Sequence, residues 1–170
     1  MYTIADVNAL SEPEFVNVFG SIYEHSPWVA KAAWHQLPVT SLDGLERILR
    51  QVVEQADDDA QIGILKAHPE FAGAEATDGT LTTASENEQG RLSLNRLPSD
   101  QCKRMRSLNS RFMESFGFPG IVAVRLHSTV ESVFAELQRR VENDPDVEAQ
   151  EAMTQVYHIV RFRLEDLIKD

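Results

Sequence analysis

An arginine near the end of the chain is the residue whose position points most directly to chemistry. Apolar residues of the last predicted helix recur on one face, and Arg163 lies near the middle of that face, between Val156 and Leu167. Arg161 points well away from it. A guanidinium keeps its charge, and burying one without a partner costs several kcal/mol. Arg163 must therefore extend to solvent, form a structural ion pair or face a cavity that binds anions.

His68 is a second candidate, placed before Pro69 at the end of a helical segment. An imidazole has an ordinary pKa of about 6.5, so it can donate and accept a proton near neutral pH. Taken alone, a histidine at such a place is more often a surface or core residue. The remaining histidines lie at helix edges or on an outward face: His25, His35, His127 and His158. None pairs at metal-ligand spacing, and Cys102 is the single cysteine, so no metal site is predicted.

The segment from Ser85 to Glu88 has the Ser-x-x-Glu spacing of a helix capping box. Such a box satisfies free N–H groups at a helix start and contributes about 1 kcal/mol. A glutamate in the first turn stays ionised there, and one oxygen can still face a pocket. We predict the capping role, which leaves a binding role open.

The elements that position these residues are predicted to be helices. Cap residues followed by apolar residues at the helical period recur along the whole chain. The predicted helices begin near Ser11, Ser26, Ser41, Asp57, Ser85, Ser99, Ser128 and Asp144. We therefore predict an all-α fold, with residues 1–170 as a single compact domain of about seven to eight helices. Residues 67–84 and an extended connector at 117–125 interrupt the pattern, and irregular segments on a rigid scaffold often carry sites.

Charge and composition exclude several classes of function. The net charge of −11 disfavours nucleic acid and anionic membrane surfaces as partners. No apolar run approaches the ~20 residues that span a bilayer, and no secretory signal is visible. The sequence has no Gly-rich phosphate loop and no nucleophile elbow. We expect a cytoplasmic protein that acts by general acid–base chemistry or that only binds.

Five segments of the chain, in order, resemble the 2-oxo-4-hydroxy-4-carboxy-5-ureidoimidazoline (OHCU) decarboxylases. They are residues 15–30, the His-Pro segment 67–73, Ser85-x-x-Glu88-Gln89, residues 116–124 and the Arg163-Leu164 pair. Each is weak alone, but the five in order span nearly the whole chain and are highly specific. One position departs, because Gly120 stands where the family usually carries an aromatic residue.

The resemblance implies an all-helical enzyme that converts a urate-derived imidazoline to (S)-allantoin and CO2 without a metal or an organic cofactor. It implies His68 as the catalytic acid/base, with Glu88 and Arg163 as further catalytic residues. It also implies a set of substrate-binding residues: Pro69, Ser85, Gln89, Phe118, Pro119, Gly120, Ile121 and Val122. Residues 118–122 would act through main-chain groups.

The implied chemistry is consistent with these residue types. The carbon that loses CO2 lies beside a C=N bond, so the substrate ring itself accepts the electrons. The protein has to orient the ring and deliver a proton to one face of the new carbon. Glu88 can either orient His68 or bind the ureido N–H groups, and the sequence leaves both open.

Two other functions fit part of the same pattern. A non-catalytic helical module that binds a small molecule or a protein explains the caps but not His68 and Arg163. A hydrolase acting on a neighbouring ring compound would release no CO2. Exposed apolar residues on the first helices would also allow a homodimer.

Overall fold

The computed structural model describes residues 1–73 and 81–169, and these are mostly helical. The nine described helices are α1 (Ile4–Ala9), α2 (Glu12–Phe19), α3 (Pro27–Trp34), α4 (Leu42–Glu54), α5 (Asp58–Lys66), α6 (Thr83–Gly90), α7 (Ser99–Phe116), α8 (Val130–Arg140) and α9 (Pro145–Leu167). Short 3-10 turns cover Leu94–Arg96 and Val124–Leu126. No strand occurs in the described ranges, where Tyr2 and Ile168 form an isolated bridge. The all-α prediction is confirmed.

Side-chain caps explain why most helices begin where the sequence indicates. The main-chain N–H of Ser11 donates to Glu14 at 2.9 Å, which completes the predicted capping box of α2. Ser41 and Asp57 cap α4 and α5 by accepting from main-chain N–H groups three residues later. The helix that the prediction missed is α1, which is only six residues long and is capped by Thr3.

The predicted cap at Ser85 is wrong. Thr82 is the N-cap of α6, and its hydroxyl accepts from the main-chain N–H of Ser85 at 3.3 Å. Several adjacent residues here have hydroxyl groups, and the helix begins at the earliest one that reaches a free N–H. Ser85 therefore lies inside the helix. In the same way Thr129, rather than Ser128, caps α8.

The chain divides into two compact units, residues 1–67 with 157–170 and residues 68–156. In the first unit α2 packs on α3, α3 on α4 and α4 on α5. Its core is lined by fully buried apolar side chains, among them Phe15, Phe19, Leu45, Leu49, Val53 and Ile64. Gly20 ends α2, where a Cβ would lie 2.4 Å from the Val16 carbonyl oxygen, so only glycine fits. That residues 1–170 form one domain stays a prediction.

The second unit has its own apolar core between α7 and α8. Its buried residues include Met105, Leu108, Phe112, Val133, Phe134 and Leu137, which follow the predicted helical periods. Helix α7 ends at Gly117, whose φ of +73° favours glycine. The predicted connector follows, and its residues 118–124 are all buried. None of the described helices has both the length and the apolar composition needed to cross a membrane.

Candidate active site

His68 lies at the start of the second unit, in a tight turn of residues 68–73. Pro69 disfavours helical backbone at His68 and so ends the preceding helical segment. The His68 side chain is buried, with 8% of its surface exposed. Ala72 has a φ of +51°, and a Cβ at Gly73 would lie 2.9 Å from the Glu70 Cβ. The turn that carries the histidine is therefore compact and conformationally restricted.

Two buried amide side chains hold this turn by its main chain. Gln89 of α6 donates through Nε2 to the Glu70 carbonyl oxygen at 3.4 Å. Asn109 of α7 donates through Nδ2 to the Phe71 carbonyl oxygen at 2.9 Å and to the Glu70 carboxylate at 3.5 Å. Gln89 and Asn109 are each 2% exposed. Two helices of the second unit thus fix the segment next to His68.

The same two amides keep an acceptor oxygen without a partner. Within the described ranges, Gln89 Oε1 and Asn109 Oδ1 are buried and accept no hydrogen bond. Each amide uses its nitrogen to donate to a main-chain carbonyl of the turn, so its oxygen is left to accept from another donor. A buried acceptor without a donor costs about 1–3 kcal/mol. A ligand that carries N–H groups would supply the missing donors.

Sequence reasoning missed Asn109, although a signal for it exists. Met105, Leu108 and Phe112 define the buried face of α7, and Asn109 lies on that face. A polar residue within an apolar helical face is the pattern that singled out Arg163.

Helix α6 brings the predicted Ser85, Glu88 and Gln89 to one face, because positions three and four apart are neighbours on a helix. Ser85 is buried and Glu88 is half-buried. Since Thr82 provides the cap, neither Ser85 nor Glu88 is needed to satisfy the helix start. The Ser-x-x-Glu-Gln spacing thus places a hydroxyl, a carboxylate and an amide side by side next to the His68 turn, which Gln89 contacts.

The connector that follows α7 has the burial expected for the predicted main-chain binding segment. Its Ile121 carbonyl accepts from Arg140 Nη1 at 2.6 Å, and the Ala123 N–H donates to Gln155 Oε1 at 2.9 Å. The main-chain groups of Gly120 and Val122 make no hydrogen bond to another residue of the described ranges. Buried main-chain groups need partners, so they are candidates for binding a polar ring.

Gly120 contributes main chain only to this segment. A Cβ there would lie 2.5 Å from Leu137 Cδ2 and 3.2 Å from two ring carbons of Phe112. Leu137 and Phe112 therefore fill the space next to the residue, which explains why glycine can stand at this position. An aromatic side chain at 120 would require this part of the core to rearrange.

Arg163 belongs to the first unit, whereas the other predicted site residues belong to the second. It is 6% exposed, as the helical-face argument predicted. Its Nη1 lies 2.8 Å from Glu24 Oε2 and donates to the Ser21 and Ile22 carbonyl oxygens. Of the three alternatives, the ion pair is formed and extension to solvent is excluded. A direct role of Arg163 in catalysis stays a prediction.

Arg161, which the helical periodicity places away from the apolar face of α9, is more exposed than Arg163. The Arg161 side chain is 35% exposed and lies 2.8 Å from Glu46 and from Glu165 and 2.5 Å from Asp43. Four exposed or half-exposed histidines lie elsewhere, as predicted: His25, His35, His127 and His158. In residues 1–73 and 81–169 no three His, Cys, Asp or Glu side chains are grouped so as to hold a metal ion.

A buried histidine lies on a turn that two buried amides hold, and one of these amides shares a helix face with a hydroxyl and a carboxylate. On an all-helical scaffold these residue types suit general acid–base chemistry on a small polar substrate. Comparison with known proteins then names the family. The model of the OHCU decarboxylase family matches residues 8–165, and the chain belongs to this family. The predicted family and the predicted class of enzyme, a decarboxylase, are confirmed.

Individual relatives agree over nearly the full length of the chain. The chain is 39% identical over 162 residues to the mouse 2-oxo-4-hydroxy-4-carboxy-5-ureidoimidazoline decarboxylase, covering 95% of this chain and 90% of that protein. It is 36% identical over 165 residues to the same enzyme of Halalkalicoccus jeotgali, covering 97% and 91%. A solved structure of an (S)-allantoin synthase superposes with a TM-score of 0.78 at 27% identity, covering 98% of this chain and 54% of that chain.

Proposed function

We propose that this protein decarboxylates 2-oxo-4-hydroxy-4-carboxy-5-ureidoimidazoline to (S)-allantoin and CO2 in urate degradation, with His68 as the proton carrier. The observation that carries the proposal is the buried turn of His68, held by Gln89 and Asn109. The family to which the chain belongs supports the substrate and the type of reaction.

The reaction needs few groups from the protein. The bond between the ring carbon and the carboxylate breaks, and its electron pair moves into the adjacent C=N bond. A proton then adds to the neighbouring ring carbon that carries the ureido arm, while the hydroxyl of the carbon that lost CO2 gives up its proton and becomes the ring carbonyl of allantoin. Protonated His68 delivers this proton from one side, which makes the product a single enantiomer. Since the substrate accepts the electrons, we propose that neither a metal nor an organic cofactor takes part.

We propose that both side chains and main-chain groups bind the substrate next to His68. Gln89 Oε1 and Asn109 Oδ1 accept from N–H groups of the ring and the ureido arm, while Ser85 and Glu88 line the same face of α6. Main-chain groups of the connector bind the ring, and Pro69 shapes the pocket next to His68. These donors and acceptors orient the substrate, so the carboxylate leaves from a defined side.

The test generates fresh substrate from urate with urate oxidase and hydroxyisourate hydrolase. Circular dichroism then follows the product with and without this protein. We expect one allantoin enantiomer to form well above the spontaneous rate, with release of CO2. Racemic product at the spontaneous rate would overturn the proposal. Binding without turnover would favour a non-catalytic module, and ring opening without CO2 would favour a hydrolase.

Three further expectations belong to the proposal. Trp28 on α3 is 37% exposed, and we propose that such apolar residues of the first helices form a homodimer interface. Light scattering at two protein concentrations tests this.

Dialysis against EDTA should leave the activity unchanged if no metal takes part. Cell fractionation tests the proposed location in the cytoplasm.

A further inference from the structure

A fully buried ion pair joins α8 to α9 in the second unit. Arg140 is the last residue of α8, Glu148 lies in the first turn of α9, and both side chains are 0% exposed. Arg140 Nη2 and Nε donate to the two carboxylate oxygens of Glu148 at 2.5 and 3.2 Å. Asn143 Nδ2 adds a hydrogen bond to Glu148 at 2.9 Å. The pair is bidentate, so the orientation of the guanidinium is fixed.

The fixed guanidinium of Arg140 also donates a hydrogen bond to the main chain of the connector. Arg140 Nη1 donates to the Ile121 carbonyl oxygen at 2.6 Å. The geometry requires arginine, because a lysine ammonium cannot span both Glu148 oxygens and the carbonyl. Stability alone does not account for the pair, since buried ion pairs can often be replaced by apolar side chains at little or no cost.

The connector is held from α9 as well. Gln155 accepts from the Ala123 N–H at 2.9 Å. The Ile121 carbonyl is thereby occupied by Arg140 and the Ala123 N–H by Gln155. Between and beside these two fixed groups lie Gly120 and Val122, whose main-chain groups have no hydrogen-bond partner within the described ranges.

We propose that Arg140 is a positioning residue for the substrate. It acts through the Ile121 carbonyl and, together with Gln155, sets the direction in which the main chain of Gly120 and Val122 faces the ring. This inference rests on the proposed function. It refines the predicted role of residues 118–122, because the Ile121 carbonyl serves the connector by accepting from Arg140.

The proposal predicts an effect on binding more than on chemistry. Loss of the Arg140 contact lets the connector shift, so KM for the substrate and Kd for (S)-allantoin rise about tenfold, the change that loss of one well-placed hydrogen bond produces. The turnover number falls less, because the contacts of Gln89 and Asn109 with the His68 turn remain.

The experiment compares three variants with the wild-type enzyme. R140M/E148L removes both buried charges together, so no unpaired charge remains in the core. Q155M removes the second contact and buries no charge. R111M/E142L is the matched control, since Arg111 and Glu142 form an exposed pair in the same unit, and Glu142 lies two residues after Arg140. For each we measure kcat, KM, calorimetric binding of (S)-allantoin and Tm.

We expect R140M/E148L and Q155M to raise KM and Kd together while the control keeps both constants. Wild-type constants in a folded R140M/E148L would overturn the proposal. If that variant does not fold, Q155M decides in the same way. Wild-type enzyme without turnover would instead reject the proposed function, so the two failures are distinguishable.

Discussion

Arg163 and Glu24 form an ion pair in which both side chains are buried, with 6% and 1% of their surface exposed and Nη1 2.8 Å from Oε2. Main-chain carbonyls of Ser21 and Ile22 accept from the same nitrogen. The pair therefore links the middle of the apolar face of α9 to the irregular segment that follows α2. Because the pair is buried, a substitution that removes one partner and leaves the other charged destabilises the fold.

We expect Arg163→Leu to destabilise the fold by about 3–5 kcal/mol, since it leaves the Glu24 carboxylate buried without its cation. Arg161→Leu removes a half-exposed cation and should cost about 1 kcal/mol or less. Urea denaturation measures both. Activity should also fall more in Arg163→Leu than in Arg161→Leu.

A double variant separates stability from catalysis at this position. R163M/E24L removes both charges and should recover most of the lost stability. If its turnover stays low, Arg163 acts on the substrate as the family motif implies. Recovery of wild-type turnover would show that Arg163 is structural only.

His68→Gln should abolish most turnover and leave the Tm within a few degrees of wild type. Glutamine can occupy a similar space but cannot carry a proton between solvent and carbon. The control is His158→Gln, which alters an exposed histidine of α9. A His68→Gln enzyme with wild-type rate and stereospecificity would exclude His68 as the proton carrier.

Asn109→Leu should lower kcat about tenfold or more, because a small displacement of a catalytic group is costly. The substitution removes the hydrogen bond from Asn109 to the Phe71 carbonyl oxygen. This buried carbonyl must then find a solvent donor or remain without a hydrogen bond. Asn87→Leu, on the exposed side of α6, is the control. A pH–rate profile that keeps its shape while kcat falls would show that the chemistry is unchanged and that its geometry is disturbed.

The helical parts of the fold and the burial of Arg163 were predictable because both follow from local periodicity. The same logic extends to Asn109 and to Arg140, which lies three residues after the buried Leu137 on α8. The partners were not predictable. Neither the pairing of Arg163 with Glu24 nor the contact of Arg140 with Ile121 leaves a local signal, because these residues lie far apart in sequence.

The exact starts of helices were also hard to predict from the sequence. Where Thr82, Thr83 and Ser85 all could cap a helix, free energies of a few tenths of a kcal/mol decide the choice. The sequence pattern favoured Ser85, and the structure uses Thr82. The error had a functional consequence, since it assigned to a cap the hydroxyl that lies beside Gln89 on the buried face of α6.

Tyr23→Phe should leave the stability unchanged or raise the free energy of unfolding by about 1 kcal/mol. The Tyr23 ring is 1% exposed, and in the described part of the chain its hydroxyl has no hydrogen-bond partner. Burial raises the pKa of this hydroxyl well above its usual value. Phenylalanine keeps the ring and removes the cost of the unpaired group. Tyr157→Phe is the control, since its ring keeps the contact with Arg50 at 4.3 Å. A decrease of more than about 1 kcal/mol in the free energy of unfolding of Tyr23→Phe would contradict the burial argument.

The salt bridge of Glu151 should make part of the stability acid-sensitive. Hydrogen bonding to the Arg139 guanidinium lowers the pKa of Glu151 below its ordinary value of 4.5. A carboxyl whose pKa is lower in the folded than in the unfolded state stabilises the fold above the unfolded pKa and ceases to do so as pH falls through the folded one.

The free-energy difference between wild type and Glu151→Gln should therefore be present at pH 7, at about 1 kcal/mol or less for a half-exposed pair, and shrink below pH 4.5. Urea denaturation from pH 7 to pH 3 measures it. In an Arg139→Gln background the same substitution loses its main partner, so its effect at pH 7 should be smaller and its acid dependence weaker. A difference that stays constant down to pH 3 would mean that the carboxylate charge of Glu151 contributes nothing to stability.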